Sequence, residues 1–344
     1  MKKNVSKIMA ILTTLTLSAG IPALAIDEVA PVKVEAKKSV GVLDPKPGIH
    51  TCSVTNMPAN SACAGTINQN TWETMIQYGY MDMSTKYNGS TVIANTTNTK
   101  MSMSMAMAML SYGVTDYFSL SAMIPTVSAT MSDNAMGTMT QSGLGDISVN
   151  GKWRVWSDGD ITTPPKSFDD LRDTGNSVAL MLSVKAPTGE NNAKSTMMGM
   201  TTRIADTMQL GTGSWDERFG VSYSKNMNPF WVHASAFYNL NNINSYGYQF
   251  GNKTSYNVAF QFEPMMNTVL GVELNGDTRN VDTKNGVLQA NTGGSKLLLS
   301  PSVQYQIGDN WDIQAGYNIP VAVSVNGTGL GFTSGWFVGI RGTL

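Results

Sequence analysis

The most unusual side chains in this sequence are methionines that alternate along one short stretch. Every second residue from Met101 to Met109 is a methionine, and Met123 follows a little later. Because side chains of a strand alternate between its two faces, the methionines of the stretch share one face. Thioether sulfur is a soft ligand that suits Cu(I), so the sequence predicts a candidate copper site. Its ligands would be Met101, Met103, Met105, Met107, Met109 and Met123.

Residues suited to hydrolysis are scarce by comparison. The chain has two histidines, His50 and His233, and the second lies two residues from Ser235. A nucleophilic serine needs a base within direct hydrogen-bond reach, and a spacing of two along a strand is long for that contact. We therefore predict that the protein is not an enzyme.

The composition narrows the class of protein that presents these residues. Charged residues make up 14% of the chain and hydrophobic residues 42%, whereas charged residues are about 25% of an average soluble domain. The missing charge is replaced by glycine and small polar residues, which suits strands with one apolar face and one wet face. The net charge of -1 gives no support to nucleic-acid binding.

The N-terminus predicts export. Lys2, Lys3 and Lys7 precede a short apolar run, and Ala23 and Ala25 are the small residues of a cleavage site. We therefore predict a signal peptide over residues 1–25.

The stretch after the signal peptide is proline-containing and shows little periodicity. We predict that residues 26–71 form a periplasmic tail or a partial plug, and that a barrel occupies residues 72–344. Cys52 and Cys63 are close together, and a disulfide is the default for such a pair in an exported chain.

Period-2 alternation dominates the rest of the chain and predicts an all-β protein. No apolar run approaches the roughly 20 residues of a spanning helix, whereas the strands of a membrane barrel alternate as these do. We predict a transmembrane antiparallel up-and-down β-barrel of about twelve strands, with both termini on the periplasmic side. The predicted strands are 72–84, 100–112, 117–127, 143–156, 176–186, 214–225, 230–240, 253–263, 268–277, 296–307, 310–321 and 329–344.

The alternation of these strands places a set of charged residues of both signs on the inward face, which lines the lumen. Unpaired buried charge is costly, so these residues either pair as struts or line a wet path. A barrel of about eight strands is filled by side chains and one of 16–18 is open, so twelve predicts a narrow or partly plugged pore. A closed structural barrel is the alternative. The predicted lumen residues are Lys152, Arg154, Lys185, Arg218, Glu263, Glu273, Lys296, Asp312 and Arg341.

The direction in which the methionines point depends on one turn. A two-residue turn after their strand puts Met109 with Leu120 and Ile124 on the lipid side, where methionine acts as an apolar filler. A three-residue turn reverses the parity and brings Met105 to face Met123 inside. Two-residue hairpins are the commoner kind, so we expect the lipid side, although the sequence leaves the phase open.

Several short motifs in a fixed order carry a family resemblance. They are Tyr112–Asp116, Ser142–Asp146, Lys185–Gly189, Leu210–Asp216 and Thr292–Gly294. In this order they resemble the MetA-pathway of phenol degradation family, over roughly residues 72–344. The methionines at 75, 81, 83 and 101–109 resemble a methionine-rich subset of it, in which histidine often accompanies methionine.

The resemblance implies an outer-membrane barrel that passes small molecules, and it carries no binding residue across. We therefore predict an outer-membrane channel or transporter surrounded by lipid, with apolar or aromatic compounds as candidate solutes. A copper-handling barrel, with Cu(I) as the one candidate metal, and a closed structural barrel are the alternatives. The sequence leaves the solute and the oligomeric state open.

Overall fold

The computed structural model describes residues 62–134, 137–157, 175–197, 200–227, 230–265, 267–308 and 310–344. These residues form strands, turns and loops, with one 3₁₀ turn at Asp206–Met208. Within these ranges, no helix is long and apolar enough to cross a membrane. The predicted signal peptide and the part of the predicted tail before residue 62 lie outside the described residues.

The alternating sequence forms strands almost throughout. In chain order they are β1 (Trp72–Met83), β2 (Thr85–Asn88), β3 (Thr91–Val92), β4 (Lys100–Thr115), β5 (Phe118–Asp133), β6 (Gly137–Leu144), β7 (Ser148–Ser157), β8 (Gly175–Lys185), β9 (Lys194–Met197), β10 (Met200–Arg203), β11 (Asp216–Met227), β12 (Phe230–Leu240), β13 (Tyr248–Gln249), β14 (Lys253–Met265), β15 (Thr268–Arg279), β16 (Thr283–Lys284), β17 (Val287–Leu288), β18 (Gly294–Ile307), β19 (Trp311–Val325), β20 (Thr328–Gly331) and β21 (Ser334–Thr343).

The long strands pair antiparallel with their neighbours and close into a barrel. Sequential neighbours pair from β4 round to β21, and β1 closes the ring between β21 and β4. β6 and β7 follow one another along the edge of β5 and share one strand position. The barrel therefore has twelve strand positions, and the predicted fold is confirmed.

The two ends of the barrel differ in their connections. At one end, which we call the turn end, residues 116 and 117 alone join β4 to β5. Both ends of the barrel chain meet there, since the Leu344 amide donates to the Trp72 carbonyl at 2.8 Å. At the opposite end, the loop end, the long connections contain the small pairings β20–β2–β3, β9–β10 and β13–β16–β17.

The largest differences from the predicted strands lie between two of them, over 128–142, and in the last strand. The predicted loop over 128–142 is a hairpin, because β5 continues to Asp133 and pairs with β6. Its outward residues, among them Thr130 and Thr140, are polar, so pairing continues past the apolar zone into water. The predicted last strand is interrupted, since β20 joins β2 in a loop and the final barrel strand begins at Ser334.

The barrel turns apolar side chains outward and polar ones inward, the reverse of a soluble protein. Ser222, Gln261 and Ser300 are buried at inward positions of three strands. The outward positions form a belt of exposed apolar side chains that includes Ile76, Leu110, Leu120, Ile124, Val149, Leu182, Val221, Val258, Val272, Ile313 and Val338.

A β-bulge in the first turn-end hairpin sets the phase of the methionine strand. Thr115 pairs with Phe118 across a two-residue turn, whereas Gly113 pairs with Ser119, and the register shifts between these pairs. The extra residue on one strand of a bulge offsets the alternation by one, so every preceding side chain changes face.

The expectation that the methionines face lipid is therefore wrong. The turn has the two residues that were expected, but the bulge before it reverses the parity. Met109 pairs with Met123 and lies on the same face as the buried Ser111. Leu110 and Ile124 are the exposed, outward residues of these strands.

Candidate functional site

A cavity of about 450 Å³ lies among the inward-facing side chains. Its walls come from three parts of the chain. Gly65 and Ile67 belong to the segment before β1, Met109 and Met123 belong to the methionine strands, and Lys185 belongs to the strands that carry charge.

We call the inward side of β1, β4, β5 and β6 the methionine face. Residues that pair directly across an antiparallel ladder share a face of the sheet, so the register defines its members. They are Met75, Met81, Met83, Met101, Met103, Met105, Met107, Met109, Met123, Met131 and Met139.

The methionines of this face are aligned in rows across the strands. The cavity row consists of Met75, Met109 and Met123, which are paired in turn on β1, β4 and β5. Between the rows, Met81 pairs with Met103.

A second row lies nearer the loop end. This loop row consists of Met83, Met101, Met131 and Met139, paired in turn on β1, β4, β5 and β6. Members of the loop row pack against a buried apolar cluster from the connection between β8 and β11. That cluster contains Ala193, Ile204 and Met208.

The charge on the methionine face has one sign. Among the described residues of β1, β4, β5 and β6, the inward charged side chains are Glu73 and Asp133, both acidic. The predicted lysines and arginines of the lumen all lie on other strands.

We call the inward side of the remaining barrel strands the charged half. Its most buried ion pair joins Arg341 to Asp312, which are 2% and 1% exposed. The Arg341 Nε and Nη2 atoms donate to the same Asp312 oxygen at 3.1 and 3.0 Å. This pair lies near the turn end, because both residues are close to the ends of β19 and β21 there.

A second charged cluster lies at the loop end of β8. The Lys185 ammonium lies 3.0 Å from the Asp146 carboxylate and 2.6 Å from that of Asp216. The Asp146 carboxylate also accepts hydrogen bonds from the amides of Gly189 and Thr212. The lysine therefore joins β8 and β11 to the connection between β6 and β7.

The remaining predicted lumen residues take up several positions in the charged half. Arg218 lies over the ring of Phe237 at 3.8 Å, and the Lys296 ammonium lies 3.5 Å from the Asp277 carboxylate. Glu273 is 1% exposed.

Three more of these residues lie toward the turn end. Glu263 is half-buried close to the turn between β14 and β15. Arg154 donates to the Asp116 carbonyl at 3.0 Å, and Lys152 donates to the Gly65 carbonyl at 3.0 Å.

The segment before β1 lies against the inward side of the barrel wall. We call residues 62–71 the inner segment. The Ala64 amide donates to Ser224 Oγ at 2.8 Å, and Ser222 Oγ donates to the Cys63 carbonyl at 3.0 Å. Cys63 and Ala64 are fully buried.

The inner segment is also held by the bulged hairpin. The Asn70 amide donates to the Gly113 carbonyl at 2.8 Å, and Thr66 Oγ1 donates to the Asp116 carbonyl at 2.6 Å. A side chain at Gly113 would meet the Asn68 carbonyl oxygen at 1.9 Å, so glycine is what permits this close approach.

The two histidines give no open catalytic pair among the described residues. His233 Nδ1 lies 2.8 Å from Ser224 Oγ, not from Ser235, and Nε2 lies 3.1 Å from Gln261 Oε1. The inner segment covers the serine, since Ala64 donates to the same hydroxyl oxygen. His50 lies outside the described residues.

Two further predictions concern ligands and cysteines. Because Cys52 lies outside the described residues, its disulfide with Cys63 stays a prediction. Across the ranges that the structure describes, no group of three His, Cys, Asp or Glu side chains is placed to hold a metal ion. Among the described residues, the soft donors of the lumen are the methionine thioethers and the buried thiol of Cys63.

Sequence reasoning missed the carboxylates that accompany the lumen cations. Asp146 and Asp216 end two of the motifs that carried the family resemblance, and those motifs were the available signal.

A further carboxylate that was missed is Asp282, which is fully buried in a loop. It accepts a hydrogen bond from the Tyr248 hydroxyl at 2.6 Å. Burial, together with this carboxylate, raises the pKa of Tyr248.

Comparison with known proteins places this geometry in context. The sequence matches the family model described as "Putative MetA-pathway of phenol degradation" over residues 82–337. No curated protein matches the chain. The COG4313 outer membrane channel from Pseudomonas putida F1 is similar in structure, with a TM-score of 0.62 and 13% identity over 83% of this chain and 99% of that chain.

A weaker likeness links the chain to another barrel. The translocator domain of autotransporter NalP from Neisseria meningitidis has a TM-score of 0.43 and 12% identity, over 80% of this chain and 89% of that one. The Pseudomonas structure shows a shared fold.

Proposed function

The chain belongs to the MetA-pathway of phenol degradation family, and we propose that it is an outer-membrane channel that passes small molecules. The observation that carries this proposal is the cavity of about 450 Å³ inside the barrel. Small-molecule sites are commonly clefts or cavities of roughly 300–1,000 Å³. The exposed apolar belt supports a lipid environment, and we propose that the turn end faces the periplasm.

The two kinds of cavity wall favour a solute with both apolar and polar parts. Met109 and Met123 supply thioethers and Ser121 supplies a hydroxyl on one side, while Lys185 and Asp216 lie on the other. Apolar or aromatic compounds that carry a polar group fit such a surface better than a sugar does. The proposal gives the chain no catalytic role.

We also propose that residues 26–71 are a partial plug. Support comes from the contacts of the inner segment, which occupies inward-facing hydrogen-bonding groups of β7 and β11. Because these contacts use single hydroxyls and one ammonium, the segment is held but not covalently fixed to the wall.

Single-channel recording in planar lipid bilayers tests the proposal. The chain without its signal peptide would be compared with a form that also lacks residues 26–71. Lys152→Met would release the anchor to Gly65, and Lys100→Met, an exposed lysine on the outward side of β4, would be its matched control.

We expect small conductance steps from the longer chain, larger steps after the deletion, and an intermediate value for Lys152→Met. The Lys100→Met control should match the unmodified chain. Silence from all forms, with folding shown by heat-modifiable gel mobility, would contradict the channel and favour the closed structural barrel.

A further inference from the structure

The strands of the methionine face separate methionine from leucine and isoleucine, although Pro125, Val127 and Ala129 of β5 share the inward side with the methionines. Their outward positions carry Ile76, Leu110, Leu120 and Ile124, which form part of the exposed belt. Their inward positions carry the methionines. If methionine served only as apolar filler, it would be expected on both sides, or leucine and isoleucine would share the interior with it. The segregation indicates that the sulfur atom itself is used.

The rows bring several sulfur atoms within reach of one ion. Directly opposed residues of an antiparallel pair have Cβ atoms roughly 4.5–5.5 Å apart. Met75, Met109 and Met123 occupy successive strands of such a row. Methionine has three rotatable bonds, so three neighbouring thioethers can converge on one centre.

The electrostatics of this face favour a cation. Thioethers are neutral, and within the described part of the four strands the inward charges are the carboxylates of Glu73 and Asp133. Glu73 is two residues from Met75 on the same face and also lines the cavity. On this wall a monovalent soft cation would therefore meet sulfur ligands and acidic groups, while the cations of the cavity, Lys152, Lys185 and Arg218, lie on other strands.

The rows are also connected. From the loop row to the cavity row, methionine recurs at every second residue of β4. Met208, which is 5% exposed, joins the loop row from the buried cluster above it. The sulfur ligands therefore extend continuously from beneath the loop cluster to the cavity.

We propose that the methionine face binds a soft monovalent metal cation, Cu(I) or its analogue Ag(I). One site is the cavity row of Met75, Met109 and Met123, and the other is the loop row of Met83, Met101, Met131 and Met139. The methionines between them form the path along which an ion moves from one row to the other. Binding changes no oxidation state. The inference deepens the proposed channel function and rests on it for passage across the membrane, whereas binding needs no open pore.

Titration of the refolded barrel in detergent with silver nitrate, in chloride-free buffer, tests the proposal. Cysteine thiolates also bind Ag(I), so all measurements would use a Cys52→Ala/Cys63→Ala background. The cavity-row variant is M75L/M109L/M123L and the loop-row variant is M83L/M101L/M131L. The control is M227L/M265L, since these methionines lie near the turn end outside the methionine face.

We expect the unmodified face and the control to bind Ag(I) equally. Each row variant should lose one class of site or weaken it by about tenfold or more, which corresponds to roughly 1.4 kcal/mol. Anaerobic competition with a chromogenic Cu(I) chelator should give the same order. X-ray absorption of the Cu(I) form should show a shell of sulfur neighbours that is reduced in the row variants.

The design separates this inference from the channel proposal. Methionine-to-leucine changes nearly conserve volume, and gel mobility of each variant reports folding. Folded barrel that takes up no Ag(I), or row variants that bind as the control does, would overturn the metal site even if the barrel conducts. A barrel that binds Ag(I) through these rows but carries no current would retain the site and overturn the channel.

Discussion

The methionine face and the charged half line the same lumen in opposite ways. The charged half is held by ion pairs with fixed geometry, such as Arg341 with Asp312 and Lys185 with two aspartates. The methionine face is lined by flexible thioethers and has no lysine or arginine among its described inward residues. Ion pairs fix strands and loops in place, whereas methionine adapts to what lies against it. One side of this barrel therefore fixes the strands in place, and the other side provides an adaptable surface.

The first residues of the inner segment follow the same division, whereas Asn70 bonds to Gly113 of β4. Its most buried part, at Cys63 and Ala64, is held by hydroxyls of β11, and Gly65 is held by Lys152 of β7. All three contacts lie in the charged half. The segment therefore leaves the cavity row of methionines among the cavity walls.

The largest expected effect comes from breaking the buried ion pair of the charged half. Asp312→Leu leaves Arg341 buried without its carboxylate, and loss of one partner of a buried pair costs roughly 3–5 kcal/mol. Urea unfolding of the refolded barrel, followed by tryptophan fluorescence, measures this change.

The double variant D312L/R341M removes both partners of the ion pair. Replacement of both partners by apolar residues is often nearly neutral, so most of the lost stability should return. Equal stability of Asp312→Leu and the unmodified chain would show that the pair does not hold the frame.

The next effect concerns the contact between the bulged hairpin and the inner segment. Gly113→Ala places a Cβ atom 1.9 Å from the Asn68 carbonyl oxygen, so the segment must move. Forced overpacking costs roughly 1–3 kcal/mol. Conductance should rise toward that of the chain without residues 26–71. The change should be silent in the deleted form, and an equal effect there would contradict the assignment.

A smaller effect is expected at the loop end of the charged half. Lys185→Met leaves the carboxylates of Asp146 and Asp216 facing each other, but the lysine side chain is 26% exposed and water screens the loss. We expect a cost of about 1–2 kcal/mol, below that of a fully buried pair. Reversal potentials in a salt gradient should shift toward cation selectivity, and an unchanged potential would place this cluster away from the conducting path.

The smallest effect on stability is expected in the methionine face. Met101→Leu in the loop row and Met109→Leu in the cavity row keep the volume and apolar character of the side chain, so each should cost less than about 1.5 kcal/mol. Ag(I) binding would nevertheless weaken. A loss of stability as large as that of Asp312→Leu would mean that the methionines pack as a rigid core, and the contrast between the two regions would fail.

Much of the fold could be predicted from the sequence because strand alternation is local. At junctions between strands the alternation is not enough: the bulge between Gly113 and Thr115 leaves no clear pattern in the sequence, yet it decides which face the methionines of β4 occupy. Ser102 and Ser104 of β4 face outward, whereas the alternation of serine with methionine alone would suggest that serine points into the lumen. The β4–β5 hairpin extends beyond the apolar belt, so outward side chains in that part need not be apolar.

The ion-pair partners of the lumen residues were harder to predict than the lumen residues. Lys185 was identified from its phase, but Asp146 and Asp216 reach it only because a loop and two strands meet at the barrel mouth. The contacts of the inner segment depend in the same way on closure of the barrel. Such pairs join residues distant in sequence, and no local pattern records them.

Site-directed spin labelling at neighbouring positions of β4 measures directly whether the methionines face the lumen or the lipid. Cysteines would be introduced singly at Met109 and Leu110, in the Cys52→Ala/Cys63→Ala background, and labelled in lipid vesicles. The account predicts that the label at 109 is relaxed by a water-soluble nickel reagent and the label at 110 by lipid-dissolved oxygen. The reverse pattern would put the methionines in lipid and contradict both the lumen wall and the metal site.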